Sequence, residues 1–145
     1  MKYYTPSTHD FTKDASQWKL EPNKNETYEL QAVTMTFDAD VNHESDFIIR
    51  FWNHNVSQAV EEIRYKSLLD WIRKSTDHEV IEGVHRKPIH KFYMNFSKDI
   101  VLKHKDLDPS AAHYMTIDID SGETLKDATG KECDIAIGEY IINVK

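Results

Sequence analysis

Cysteine is nearly absent: Cys133 is the only one in 145 residues, which excludes a disulfide framework and a zinc finger. Glycine and proline are scarce, at four each, so collagen-like, Gly-rich and Pro-rich classes are excluded. With so few glycines a backbone cradle for phosphate has no sequence basis. No P-loop, G-x-G-x-x-G, G-x-S-x-G or H-E-x-x-H pattern occurs. No apolar run approaches the roughly 20 residues of a membrane-spanning helix. Met1 to Asp10 contains no apolar h-region, so no secretory signal is expected. The lone thiol and the missing signal predict a protein made in a reducing cytoplasm.

What is present suits a folded domain. Apolar residues make up 39% and charged residues 30% of the chain, a balance that favours a packed core over disorder. The formal net charge is −7, and it is unevenly spread. Residues 86–105 hold Arg86, Lys87, Lys91, Lys98, Lys103 and Lys105 against Asp99 alone. A solvated strand face accounts for any one of these lysines. As a group they read as a basic face that meets an acidic one on another copy or another protein. The negative body disfavours specific nucleic-acid binding, because it repels phosphate at long range.

Along the chain, residues 1–27 carry few large apolar side chains and are interrupted by Pro6 and Pro22, which reads as an extended N-terminal arm. Trp18 within it predicts that the arm docks somewhere. Residues 28–145 read as one domain. Tyr28, Leu30 and Ala32 alternate, and Val33, Met35 and Phe37 continue shifted by one residue, as a strand with a bulge near Ala32 would. Phe47 to Trp52 is apolar on both faces except at Arg50, the mark of a strand that is central or lies against a second layer. Asn53 to Lys74 reads as the only long helix, over about 55–74. Asn55 and Gln58 fit a capping box, and Glu62–Lys66 and Asp70–Lys74 are favourable i,i+4 pairs. Its apolar stripe is split between Val56, Ala59, Val60 and Ile63 on one side and Leu68, Trp71 and Ile72 on another.

Strands return after it. Val80–Val84 is short. His90, Phe92, Met94 and Phe96 share one face of Pro88–Phe96, and Ile100–Leu102 is brief. In Ala112–Ile119, Met115, Ile117 and Ile119 point inward and Tyr114, Thr116 and Asp118 outward. Cys133, Ile135 and Ile137 form one face of a last strand, with a bulge at Gly138 before Ile142 and Val144. The expected fold class is α+β: a mostly antiparallel β sandwich or partly closed barrel with one long helix and an N-terminal arm.

Eight histidines are many for this length. His104, Asp106, Asp108 and His113 surround a turn and offer nitrogen and oxygen ligands, although a polar loop is the better account of them. His90 and His113 fall at inward positions. Asp38 with Asp40, and Asp118 with Asp120, are i,i+2 pairs that share a strand face. They also flank turns, where aspartate is favoured for backbone reasons. Cys133 in an alternating apolar run reads as an inert buried thiol. Phe92, Tyr93 and Phe96 among lysines have the composition of a single-strand stacking surface, but alternation puts the two phenylalanines inside. No catalytic, cofactor or metal residues are assigned.

Phe47 to Trp52, the polar break Asn53-His54-Asn55, and a following helix with Leu68, Leu69 and Trp71 resemble the strand–turn–helix of contractile-tail tube proteins. The resemblance covers residues 47–72. It implies a β-rich barrel crossed by one helix, hexameric rings stacked head to tail, and incorporation into a virion.

Three function classes follow. The first is a non-enzymatic structural or assembly subunit, such as a phage tail or tail-like tube protein, that assembles with itself. The second is a small acidic inhibitor of another protein, of the immunity, antitoxin or counter-defence kind. The third is a metal-dependent hydrolase using His and Asp clusters. The expected partner is a second copy or another protein, with no membrane role and no cofactor. The candidate interface is Trp18, Arg86, Lys87, Lys91, Tyr93, Lys98, Lys103 and Lys105.

Overall fold

Alternating apolar residues bury only one face of a strand, so strands of this kind need a second layer to cover them. The computed structural model supplies that layer as a second antiparallel sheet. It describes residues 3–38, 46–66, 77–82, 88–94, 99–120, 122–125, 130–131 and 135–145. In chain order the strands are β1 (Tyr3–Tyr4), β2 (Thr8–Asp10), β3 (Trp18–Leu20), β4 (Thr27–Asp38), β5 (Phe47–Trp52), β6 (Glu61–Tyr65), β7 (Asp77–Glu82), β8 (Pro88–Met94), β9 (Ile100–Lys103), β10 (Tyr114–Ile119) and β11 (Ala136–Val144). The larger sheet runs β1-β11-β4-β8-β7, with β2 also on β11 and β9 also on β4. The smaller sheet runs β3-β10-β5-β6.

The chain is therefore all-β among the described residues, and the α+β expectation is corrected. The predicted helix of 55–74 is replaced over Glu61–Tyr65 by a strand; residues 67–74, with Leu68, Leu69, Trp71 and Ile72, lie outside the described residues. The reason is visible in the pairings. Asn55 does not cap a helix: its Nδ2 donates to the carbonyl of Pro109 at 3.2 Å. Glu62 accepts from Arg50 Nε of the neighbouring strand at 3.0 Å. Ile63 and Tyr65 turn inward while Glu62 and Arg64 turn outward, a period of two. The strand–turn–helix unit that carried the tube resemblance is thus a strand, a loop and another strand through residue 65, and the phage-tail and virion readings find no support in the fold. Among the described residues no helix is long and apolar enough to cross a membrane.

β4 and β11 form the spine. Their register shifts where Ile141 faces Ala32 and Ile142 faces Leu30, leaving Gln31 as the extra residue of a bulge. The bulge lets both Leu30 and Val33 reach the core. β11 continues in register past Gly138, so the bulge expected there is absent. Its inward residues are Ala136, Tyr140 and Ile142, not Ile135 and Ile137; Cys133 lies outside the described residues.

The arm of residues 1–27 contributes β1 and β2 to one sheet and β3 to the other. Trp18 sits between the sheets, 3% exposed. Its Nε1 donates to Ser7 Oγ at 2.8 Å, and its ring lies 3.9 Å from that of Tyr140. A Cβ on Gly138 would fall 2.5 Å from Trp18 Cζ3, 2.9 Å from Cη2 and 3.1 Å from Met35 Sδ. Glycine is there to let the indole approach the backbone.

Candidate functional site

The site is the outer face of the smaller sheet. Strand alternation points Tyr114, Thr116 and Asp118 of β10 outward, together with Lys19 of β3, Ile48, Arg50 and Trp52 of β5, and Glu62 and Arg64 of β6. Opposite partners in the register then meet as side chains. Trp52 faces Tyr114, with nearly parallel rings 6.0 Å apart, and Trp52 Nε1 donates to Thr116 Oγ1 at 2.8 Å. Lys19 Nζ sits 4.4 Å over the Tyr114 ring, within cation–π range.

His54 closes one end. Its ring is 5.0 Å from Tyr114 and 5.4 Å from His113, and its Nε2 reaches Glu21 Oε1 at 3.1 Å. Glu21 Oε2 is 2.8 Å from Lys19 Nζ. Burial pushes the Glu21 carboxyl up, but Lys19 and then His54 outweigh it and hold it below the usual range. His113 beneath is buried. Its Nδ1 accepts from the backbone N–H of His54 at 3.1 Å, and its Nε2 donates to the carbonyl of Asp108 at 2.8 Å. Asn53, also buried, donates to the carbonyls of Pro109 and Ala111 at 2.9 and 2.7 Å. These bonds tie the β5–β6 loop to the loop before β10 and fix the aromatic strip from below.

The other half of the face is a lattice of ion pairs. Arg50 contacts Glu62 at 3.0 Å and Asp118 at 3.2 Å. Arg64 contacts Asp46 at 2.7 Å, Glu62 at 3.4 Å and Asp120 at 3.8 Å. Ile48 has no exposed surface although it points outward, so long polar side chains cover it. Counting Glu21 and Lys19, five carboxylates share three cations here. Burial pushes the Asp118 carboxyl up; Arg50 opposes this, while Asp120 and Glu62 add to it.

The residues expected at an interface are scattered. Trp18 is core. Lys91 and Tyr93 lie on the outer face of the larger sheet, where Lys91 Nζ is 3.9 Å from Glu139 and 5.4 Å over Tyr93. Lys103 pairs with Asp108 at 3.8 Å, and Lys105 is exposed in the following turn. Lys91 and Lys103 face Thr36 and Thr27 on β4, which at strand rise places them roughly 30 Å apart. Arg86, Lys87 and Lys98 lie outside the described residues. The basic stretch is therefore not one patch among the described residues.

The expected turn ligands are used locally. Asp108 Oδ1 accepts from Ser110 N and Oγ at 3.0 and 2.8 Å, and His104 Nδ1 accepts from Asp106 N at 3.1 Å. Among the described residues no group of three or more His, Cys, Asp or Glu side chains could hold a metal. Asp118 and Asp120 face arginines instead, and Asp40 lies outside the described residues.

Sequence reasoning placed Tyr114, Thr116 and Asp118 outward but left Trp52, His54 and Arg50 unassigned. A signal was available in the polar Arg50 and amphipathic Trp52 alternating along an otherwise apolar strand. No family model matches the chain, and no curated protein or solved structure compared with it matches either.

Proposed function

We propose that the protein is a non-enzymatic binding protein that docks a basic partner protein on the outer face of its smaller sheet. The observation that carries this reading is the ordered strip of Trp52, Tyr114, Lys19 and His54 beside the acid-rich lattice of Arg50 and Arg64. Trp, Tyr and Arg are the residues that dominate protein interfaces. Here they are held by their neighbours before any partner arrives, which reduces the entropy lost on docking. The surplus of carboxylates on the face, and the charge of −7 on the chain, favour a basic partner and speed its approach at low salt. This corresponds to the small acidic inhibitor class, acting in the cytoplasm on the strength of the single thiol.

The test is affinity capture from cells of the source, with the captured protein identified and its binding measured. A basic protein is expected, released by salt, retained by Lys105→Ala and weakened about thirtyfold or more by Trp52→Ala, the size of an interface hot spot. Capture unaffected by Trp52→Ala overturns the reading. So does the assembly of the purified chain into rings, seen by light scattering, because a second copy would then occupy the face.

A further inference from the structure

A cleft opens next to this face, between residues 5–7, the β3–β4 connection and the end of β11. One lobe has a volume of about 360 Å³, with apolar walls from Pro6, Tyr28, Ile142 and Val144 and polar groups from Asn23 and Glu26. A second lobe of about 400 Å³ shares Pro6, Asn23 and Tyr28 and is bounded by Lys19 and Glu21. Each lobe falls in the size range of sites that take small molecules or single side chains. Because Lys19 and Glu21 also belong to the aromatic strip, the cleft continues the proposed docking face.

The cleft has the chemistry of a cation site. Glu26 is half-buried and has no ion pair among the described residues. Cations on the flanking segments are committed elsewhere: Lys19 to Glu21 at 2.8 Å and Lys145 to Glu29 at 3.2 Å. Lys24 is exposed in the turn. Burial and the neighbouring Glu26 carboxylate push the Tyr28 hydroxyl up, so it stays neutral at neutral pH. The backbone under Glu26 is fixed. Its N–H donates to the Asn23 carbonyl at 3.0 Å, and Thr27 and Lys145 exchange bonds of 3.1 and 2.9 Å. Asn25 takes the left-handed conformation, with φ of 66°, that this turn requires.

A half-buried carboxylate without a counter-cation, beside an aromatic ring and under apolar walls, suits a chain of methylenes ending in a positive charge. We infer that this cleft is an anchor pocket for one arginine or lysine side chain of the partner, its aliphatic stem against Val144 and Pro6 and its charged head on Glu26. The inference rests on the reading of the outer face as a docking surface for a basic protein. It adds where the partner's anchoring residue goes.

The probes are N-acetyl-arginine amide, N-acetyl-lysine amide and the neutral N-acetyl-norleucine amide, titrated into the ¹⁵N-labelled protein. The cationic probes are expected to bind in the millimolar range and to shift the amides of Asn23, Glu26, Tyr28 and Val144, with norleucine amide inert. Glu26→Gln, which keeps the shape, is expected to weaken the cationic probes tenfold or more while its spectrum stays dispersed. Equal binding of norleucine amide, shifts located elsewhere, no binding, or an unchanged affinity in Glu26→Gln each overturns the pocket. None of these results alters capture through Trp52, so failure here and failure of the docking reading are told apart.

Discussion

Gly138→Ala tests the packing of the arm against the spine. Gly138 is not among the residues with positive φ, so alanine meets no backbone penalty, and its effect is one of contact. The added Cβ lies 2.5 Å from Trp18 Cζ3 and 2.9 Å from Cη2, where carbon atoms prefer roughly 3.5–4.0 Å. The indole would have to retreat by about 1 Å. It is held by its bond to Ser7 at 2.8 Å and by the Tyr140 ring at 3.9 Å, with Phe11 edge-on at 6.0 Å. Overpacking of this kind costs about 1–3 kcal/mol, while loss of glycine's freedom in the unfolded chain returns about 0.4–1 kcal/mol. We expect Gly138→Ala to lower stability by about 1–2 kcal/mol in urea denaturation followed by circular dichroism, with the m-value unchanged. Trp18→Phe removes the atoms that clash, so the alanine should be neutral or stabilising in that background, giving a coupling of about 1–2 kcal/mol. Equal cost in both backgrounds would refute the close approach of Trp18 to Gly138.

Thr34 Oγ1 is buried with no hydrogen-bond partner, so Thr34→Val should raise stability by about 1 kcal/mol by removing a desolvated hydroxyl; a loss of stability in the same urea assay would point to a partner for that oxygen. Asp118 binds its proton more tightly folded than unfolded, so the folded state gains protons relative to the unfolded one and stability falls as pH rises from about 3.8 through its raised value. Asp118→Asn should therefore gain stability more steeply than the parent across that window, and parallel curves would contradict the raised carboxyl. Glu21 has the opposite sign: its contribution is present above 4.5 and lost as pH falls through its lowered value, so carboxyl NMR should titrate Glu21 below its ordinary value and Asp118 above.

Much of the sheet structure was legible wherever burial repeats every second residue. β5 was placed at its observed bounds, and the inward set Met115, Ile117 and Ile119 of β10 is the observed core face. The one-residue phase shift in β4 correctly announced a bulge, because an extra residue is the only way to keep Leu30 and Val33 on one side. The helix failed for an identifiable reason. Val56 and Val60 were counted into an apolar stripe, yet they are 48% and 53% exposed in the β5–β6 loop. Glu62 was read with Lys66 along a helix, but its charge is met by Arg50 across the sheet. Local spacing admits both pairings, and tertiary contact decides between them.

The site was legible residue by residue but not as a site. That Tyr114 and Asp118 face outward follows from the alternation of one strand. That Tyr114 lies beside Trp52, and Asp118 beside Arg50, depends on the register of β10 against β5, which joins residues some 60 positions apart and leaves no local trace. The same holds for Lys19, which reaches Tyr114 only because β3 pairs with the far edge of β10. Charge segregation along the sequence suggested a basic face, but it could not show that β4 spreads Lys91 and Lys103 to opposite ends of one sheet. A docking surface on a sandwich is a property of strand order. It becomes readable only when the pairing of β3, β10, β5 and β6 sets one aromatic strip beside one ion-pair lattice.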